Sequence, residues 1–111
     1  MEFDNNKPIY LQISDKLSED ILEGNVTPGS RIPSVREYSA EIGVNPNTVA
    51  RAYEKMTDEG IIFNKRGIGF FVSEKARDEV LAAQRKDFLE NELPRIKKKM
   101  ELLELNIKNY L

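Results

Sequence analysis

The chain has no cysteine and no histidine among its 111 residues. Without cysteine it has no disulfide framework and no thiolate metal site. Lacking both, it cannot build a Ser/His or Cys/His nucleophile system, and nearly all zinc sites are excluded. A carboxylate-only or lysine-based enzyme has no motif in its favour, so neither catalysis nor a cofactor is expected. No apolar run is long enough to cross a bilayer, and no basic-then-apolar leader opens the sequence, so a cytoplasmic chain is expected. An excess of positive charge is missing too. The net charge is −2 and the pI about 5.3, whereas nucleic-acid-binding domains are often basic. Distribution matters more than the sum. Asp15, Glu19, Asp20 and Glu23 crowd the first predicted helix, while Arg31, Arg36, Arg51, Lys55, Lys65 and Arg66 lie in the segments after it.

What is present centres on Asn45–Gly60. Asn45 is a good N-cap, because its side-chain oxygen can accept from a free amide of the first turn. Pro46 then falls at N1, where a missing N–H costs nothing. Val44 and Val49 have hydrophobic-staple spacing. Val49, Ala52, Tyr53 and Met56 follow the i, i+3, i+4, i+7 rule and form one apolar face, and Gly60 ends the helix. Asn47, Thr48, Arg51 and Lys55 point the other way, with the polar residues toward the N-terminus. Reading base edges in a major groove requires such a helix. An ordinary amphipathic surface helix also turns polar residues outward, and Glu54 and Asp58 share that half. The flanking segments decide between the two.

Residues 1–7 are expected to form a mobile arm. Pro8 opens a helix with Tyr10, Ile13, Leu17 and Ile21 on one face, closed by Gly24-Asn25. Thr27-Pro28-Gly29-Ser30 has the pattern of a type II turn, and Arg31-Ile32 has room for only a very short strand. Ser34-Val35-Arg36-Glu37 has capping-box spacing. The helix it starts carries Val35, Tyr38 and Ile42 inward and stops at Gly43. Only Gly43-Val44-Asn45 separates it from the next helix, which makes the pair a helix-turn-helix. Beyond Gly60, Ile61–Lys65 and Gly69–Val72 are β-branched and aromatic runs around Arg66-Gly67-Ile68, a hairpin with a cationic tip. Beside a helix-turn-helix, such a hairpin is a wing that can lie along phosphates or enter a minor groove.

P-I-Y-L-Q-I at 8–13, P-G-S-R-I-P-S-V-R-E at 28–37 and V-N-P-N-T-V-A-R-A-Y at 44–53 together resemble the winged-helix domain of GntR-family bacterial transcription regulators. D-E-G-I-I at 58–62 and R-G-I-G-F-F-V at 66–72 continue the resemblance, which covers residues 8–73. The N-P-N-T-V start and the short tail are most similar to the YtrA-type branch. The resemblance implies a mostly α fold with a small β-hairpin. It also implies a homodimeric transcriptional regulator, repressor ahead of activator, on a palindromic operator in double-stranded DNA. Arg36, Thr48, Arg66 and Gly67 would then lie at the DNA surface. Some branches carry a second arginine where this chain has Pro46 and Ala50, so Asn47 and Arg51 take more of the base reading here. Asn47, Thr48 and Arg51 are the candidates for base edges; Ser34, Arg36, Lys55 and Lys65 are the candidates for phosphates.

With residues 1–73 assigned to the winged helix, residues 74–111 must supply dimerisation. Ser73 can cap a helix beginning at Glu74, with Val80, Leu81, Phe88 and Leu89 as its apolar positions. A break or kink is expected at Asn91–Pro94, since proline interrupts the hydrogen-bond ladder. Beyond it Ile96, Met100, Leu103, Ile107 and Tyr110 read as a heptad seam, extended backward by Leu93 and Leu89. A partner helix from a second copy is favoured over folding back onto the same chain, because reading two half-sites needs a two-fold pair. The Arg95–Lys99 run reads as the solvated flank of that helix. A small-molecule effector has room where the tail helices meet, although no polar constellation marks a site. The competing function class is a winged-helix adaptor for protein assembly, which fits the acidic balance and apolar tail but needs no outward row of Asn47, Thr48, Arg51 and Lys55.

Overall fold

The computed structural model describes residues 1–111, which fall into two compact units, Met1–Val80 and Leu81–Leu111. The first contains helices α1 (Ile9–Glu23), α2 (Val35–Ile42) and α3 (Pro46–Asp58), with strands β1 (Arg31–Ile32), β2 (Ile62–Lys65) and β3 (Gly69–Val72). Helix α4 (Ala76–Asp87) starts in this unit. The architecture is the expected mostly helical winged helix-turn-helix. The hairpin grows into a three-stranded antiparallel sheet because β1 pairs along the free edge of β3, in the order β1-β3-β2. Arg31 pairs with Phe71, and Ile62 with Val72.

The local signals act as their chemistry requires. Ser34 Oγ accepts from the Glu37 amide at 3.1 Å while the Ser34 amide donates to Glu37 Oε1 at 3.2 Å, the reciprocal capping box. Asn45 Oδ1 accepts from the Asn47 amide at 2.8 Å and starts α3. At its other end the Gly60 amide donates to Thr57 O and the Ile61 amide to Met56 O, both at 3.0 Å, with Gly60 at φ +76°. This is a Schellman ending, and the left-handed residue in it favours glycine. Between these caps Val49, Ala52 and Met56 are wholly buried, with Ile13, Ile21, Ile62, Val72 and Val80 around them. Each buried Val, Ile or Met side chain contributes about 1.5–3 kcal/mol relative to an exposed one. The position of α3 is thereby set by its inner face.

Three expectations need correcting. Residues 1–7 are not a free arm: Gln12 Nε2 donates to Asp4 O (2.6 Å) and Lys7 O (2.7 Å), and its Oε1 accepts from the Asp4 amide. Phe3 packs against the core as well. Ser73 does not cap a helix at Glu74. Its amide and hydroxyl donate to Ile61 O at 3.0 and 2.7 Å, closing the base of the hairpin, and α4 begins at Ala76. Ala76 and Val80 belong to the core of the first unit, so that unit runs past residue 73.

The third correction concerns the tail. The break or kink expected at Asn91–Pro94 takes the form of a local widening of the helix and not an end to it. A wider turn, Phe88–Glu92, carries the helical backbone into α5 (Leu93–Leu102), with the Leu93 amide donating to Phe88 O five residues back. A π-type turn ahead of a proline relieves the clash its ring would make in a regular α ladder. Nor does the heptad seam run on to Tyr110. Glu104 adopts φ +56°, and the Leu105 amide reaches back to Met100 O at 2.9 Å, another Schellman ending. The chain then forms a short 3₁₀ turn, Ile107–Asn109, capped by Asn106. Leu105 and Ile107 thereby come to line an apolar hollow of about 500 Å³ with Leu93, Ile96 and Met100. Ile107 and Tyr110 are therefore not positions on the same helix as Ile96 and Met100.

Candidate nucleic-acid interface

Burying Val49, Ala52, Tyr53 and Met56 turns the opposite side of α3 to solvent. Asn47, Ala50, Arg51, Glu54 and Asp58 are exposed, and Thr48 and Lys55 are half-buried. The two ends of this face differ in charge. The N-terminal half offers Asn47 and Arg51 and the positive end of the helix dipole. The C-terminal half offers Glu54, Asp58 and Glu59, which repel phosphates. The N-terminal half is the better suited to enter a groove lined by phosphates, and Lys55 is the one cation of the other half.

The cations on α3 are held rather than free. The Arg51 guanidinium carbon lies 3.9 Å from the centroid of the Tyr10 ring, and Lys55 Nζ is 2.8 Å from Glu59 Oε1. An exposed i, i+4 pair of that kind contributes at most about 1 kcal/mol, so a phosphate could displace Glu59. Tyr10, Arg51, Lys55 and the carboxylates of Glu54, Asp58 and Glu59 border one shallow depression beside α3.

At the start of α2 the capping box uses the Ser34 amide and one lone pair of its hydroxyl. The first-turn amides that have no intrahelical partner remain available as donors. The same box holds the Glu37 carboxyl below its ordinary value: the Ser34 amide bonds the ionised form, then the Ser34 side chain adds to this. Arg31 Nη2 stands 3.6 Å from that carboxylate. Arg36 is exposed and makes no ion pair.

The wing is built on the Lys65–Gly69 pairing. The Ile68 amide donates to Lys65 O at 2.9 Å, and Gly67 at φ +80° occupies the third position of the turn, as in a type II turn. Arg66 and Gly67 are exposed at its tip. Lys65 Nζ sits 4.8 Å from the centroid of Phe71, which stacks on Phe63 across the strands at 5.9 Å. An ammonium over a ring face is steadied without losing its charge.

All nine residues named from the sequence as DNA contacts therefore lie in the first unit. Arg36, Asn47, Arg51, Lys65, Arg66 and Gly67 are exposed, and Ser34, Thr48 and Lys55 are half-buried. Two contacts beside this face are not announced by the sequence. Tyr10 packs on the core as its place on the apolar face of α1 implies, and its contact with Arg51, which spans two elements distant in sequence, adds to that. Arg31 was noted only as a cation. Its side chain crosses β3 at Gly69, where an added Cβ would stand 2.9 Å from its Nε; the glycine opposite was the available signal.

Comparison with known proteins identifies the family and the fold. Residues 9–72 match the profile of the family described as bacterial regulatory proteins, gntR family. The chain is 38% identical to an uncharacterized HTH-type transcriptional regulator, YhcF of Bacillus subtilis, covering 93% of this chain and 90% of that one. It is 47% identical over 70 residues to the HTH-type transcriptional repressor YtrA of the same organism, covering 63% of this chain and 54% of YtrA. Among solved structures, a GntR family transcriptional regulator from Listeria monocytogenes superposes with a TM-score of 0.80 at 31% identity, covering 96% of this chain and 92% of that chain. The AraR DNA-binding domain in complex with operator ORR3 superposes with a TM-score of 0.59 at 26% identity, covering 66% of this chain and 88% of that one.

Proposed function

The chain belongs to the gntR family of bacterial regulatory proteins, and on that footing we propose that it is a sequence-specific DNA-binding repressor working as a homodimer on a palindromic operator. The observation that carries this is α3 itself. Its inner face is wholly buried, and its outer face at the N-terminal end presents Asn47 and Arg51. In the mechanism, that end of α3 enters the major groove. Asn47 reads adenine, Arg51 reads guanine through its paired N–H edge, and Thr48 meets a base edge alongside. Arg36, the Ser34 hydroxyl and the amide end of α2 hold one phosphate run. Lys55 holds a phosphate after leaving Glu59, and Lys65, Arg66 and Gly67 hold the backbone at the wing. The acidic C-terminal half of α3 stays outside the groove, which limits how far the helix penetrates. A regulator that occupies its operator in this way blocks access to it, and the relative YtrA is named a repressor.

Two copies are needed to read two half-sites. The second unit supports a pairing role, because Leu89, Leu93, Ile96, Leu103, Ile107 and Tyr110 stand between 37% and 65% exposed. Apolar side chains gathered in that number mark an interaction surface. The half-site centres then fall about 34–36 Å apart, or a multiple of that. Selection of bound sequences from a random duplex library tests the reading. An inverted repeat is expected; a library with no enriched sequence removes it and favours the protein-adaptor alternative.

A further inference from the structure

Arg51 is the base-reading residue with the greatest reach, and a long side chain loses much of its freedom when it binds. In this structure part of that loss has already been incurred. Its guanidinium lies over the ring of Tyr10, 3.9 Å from guanidinium carbon to ring centroid. Tyr10 is in turn fixed: it sits in the first turn of α1 and packs against the hydrophobic core. Helix α1 packs on α3, and its Ile13 and Ile21, both at most 2% exposed, belong to the core the two helices share.

The geometry of the two planar groups decides what such a contact can do. A cation–π stack uses the face of the guanidinium, whereas its five N–H donors point outward in its own plane. Stacking therefore restrains the orientation of Arg51 without consuming a hydrogen bond. A salt bridge to Glu54 or Asp58, the nearby carboxylates of the same depression, would consume donors and turn the fork away from a base. No ion pair forms to either. Tyr10 competes with those carboxylates for the guanidinium and leaves its edge unoccupied.

We infer that Tyr10 is a positioning residue for sequence reading: its ring holds Arg51 with the guanidinium edge free for a base, so that α1 takes part in specificity without touching DNA. This rests on the role of Arg51 proposed above. It predicts that the ring matters and the hydroxyl does not. It also predicts that the effect vanishes once Arg51 is gone.

The test uses the full chain, the duplex that the wild-type chain enriches from a random library, and a scrambled duplex of the same composition. Tyr10→Ala should weaken binding to the enriched duplex roughly 2- to 10-fold, the cost of ordering one long side chain at the moment of contact. It should leave the scrambled duplex unaffected, and Tyr10→Phe should behave as wild type. In an Arg51→Ala background Tyr10→Ala should change nothing. Tyr10→Leu, which keeps an apolar side chain on α1 but offers no ring face, replaces Tyr10→Ala if thermal unfolding shows that the alanine variant has lost its fold. Equal losses with and without Arg51, or tighter binding on removing the ring, overturn the inference and leave the proposed function standing. A wild-type base preference that survives Arg51→Ala instead removes the Arg51 reading, and this inference falls with it. A library with no enriched sequence overturns both.

Discussion

The Tyr53 hydroxyl donates to the backbone carbonyl of Pro33 at 2.7 Å, tying the middle of α3 to the segment that leads into α2. The ring is 3% exposed and meets Phe70 of the wing edge-on at 5.0 Å. One side chain thus joins the helix, its partner helix and the sheet. Tyr53→Phe keeps the rings together but orphans the Pro33 carbonyl. The expected loss is roughly 1–2 kcal/mol, read as a lower urea midpoint at unchanged slope.

Burial pushes the Tyr53 hydroxyl above its ordinary value of 10, and Tyr38 moves the same way for the same reason. Each binds its proton more tightly in the folded chain than in the unfolded one. Their contribution is therefore fully present below pH 10 and is lost as pH rises through the folded values. Stability should hold level up to about pH 10 and then fall, by at most about 1.4 kcal/mol per pH unit for Tyr53. In Tyr53→Phe the fall should be shallower, as denaturant titrations at stepped pH would show.

The capping box gives the acid counterpart. Ser34→Ala removes the acceptor for the Glu37 amide and should destabilise the chain by about 1 kcal/mol. The Glu37 carboxyl is held low, so its contribution is present above its ordinary value of 4.5 and is lost as pH falls through the folded value. Glu37→Gln should flatten that acid limb in the same denaturant series.

The helix-turn-helix was legible because its signals are local. Asn45, Pro46 and Gly60 act within one turn of themselves, and the Val49–Met56 stripe buries as its spacing requires. What the sequence did not disclose depends on contacts between distant positions, or on backbone that no residue type announces. Gln12 fastens the first residues by hydrogen bonds of its side-chain amide, which leave no periodicity. Arg51 finds Tyr10 across two elements. In the tail, the steps from Ile96 to Tyr110 fit a heptad, yet the chain reverses at Glu104, a non-glycine residue at φ +56°. Leu105, which is not a position of that seam, comes to line the same hollow as Met100.

Pairing through the second unit makes its own prediction. Ile96 is 45% exposed and lies on the apolar hollow of the tail. Ile96→Glu should leave the circular dichroism of the chain intact while sedimentation shows one chain in place of two. A variant that still sediments as a dimer would place the pairing surface elsewhere.

At the wing, Lys65 rests on Phe71 with its charge unneutralised by any carboxylate. If it holds a phosphate, Lys65→Ala should lower the slope of log affinity against log salt by about one unit, on every duplex alike. An unchanged slope would exclude Lys65 as a phosphate contact.

The central claim is that the exposed N-terminal half of α3 reads sequence rather than charge alone. Its most direct test is the ratio of affinities, at physiological salt, for the duplex enriched from a random library and a scrambled duplex of equal length. A preference of about 10³-fold or more is expected, collapsing when Asn47 and Arg51 are both replaced by alanine. Equal affinity for the two duplexes would contradict it.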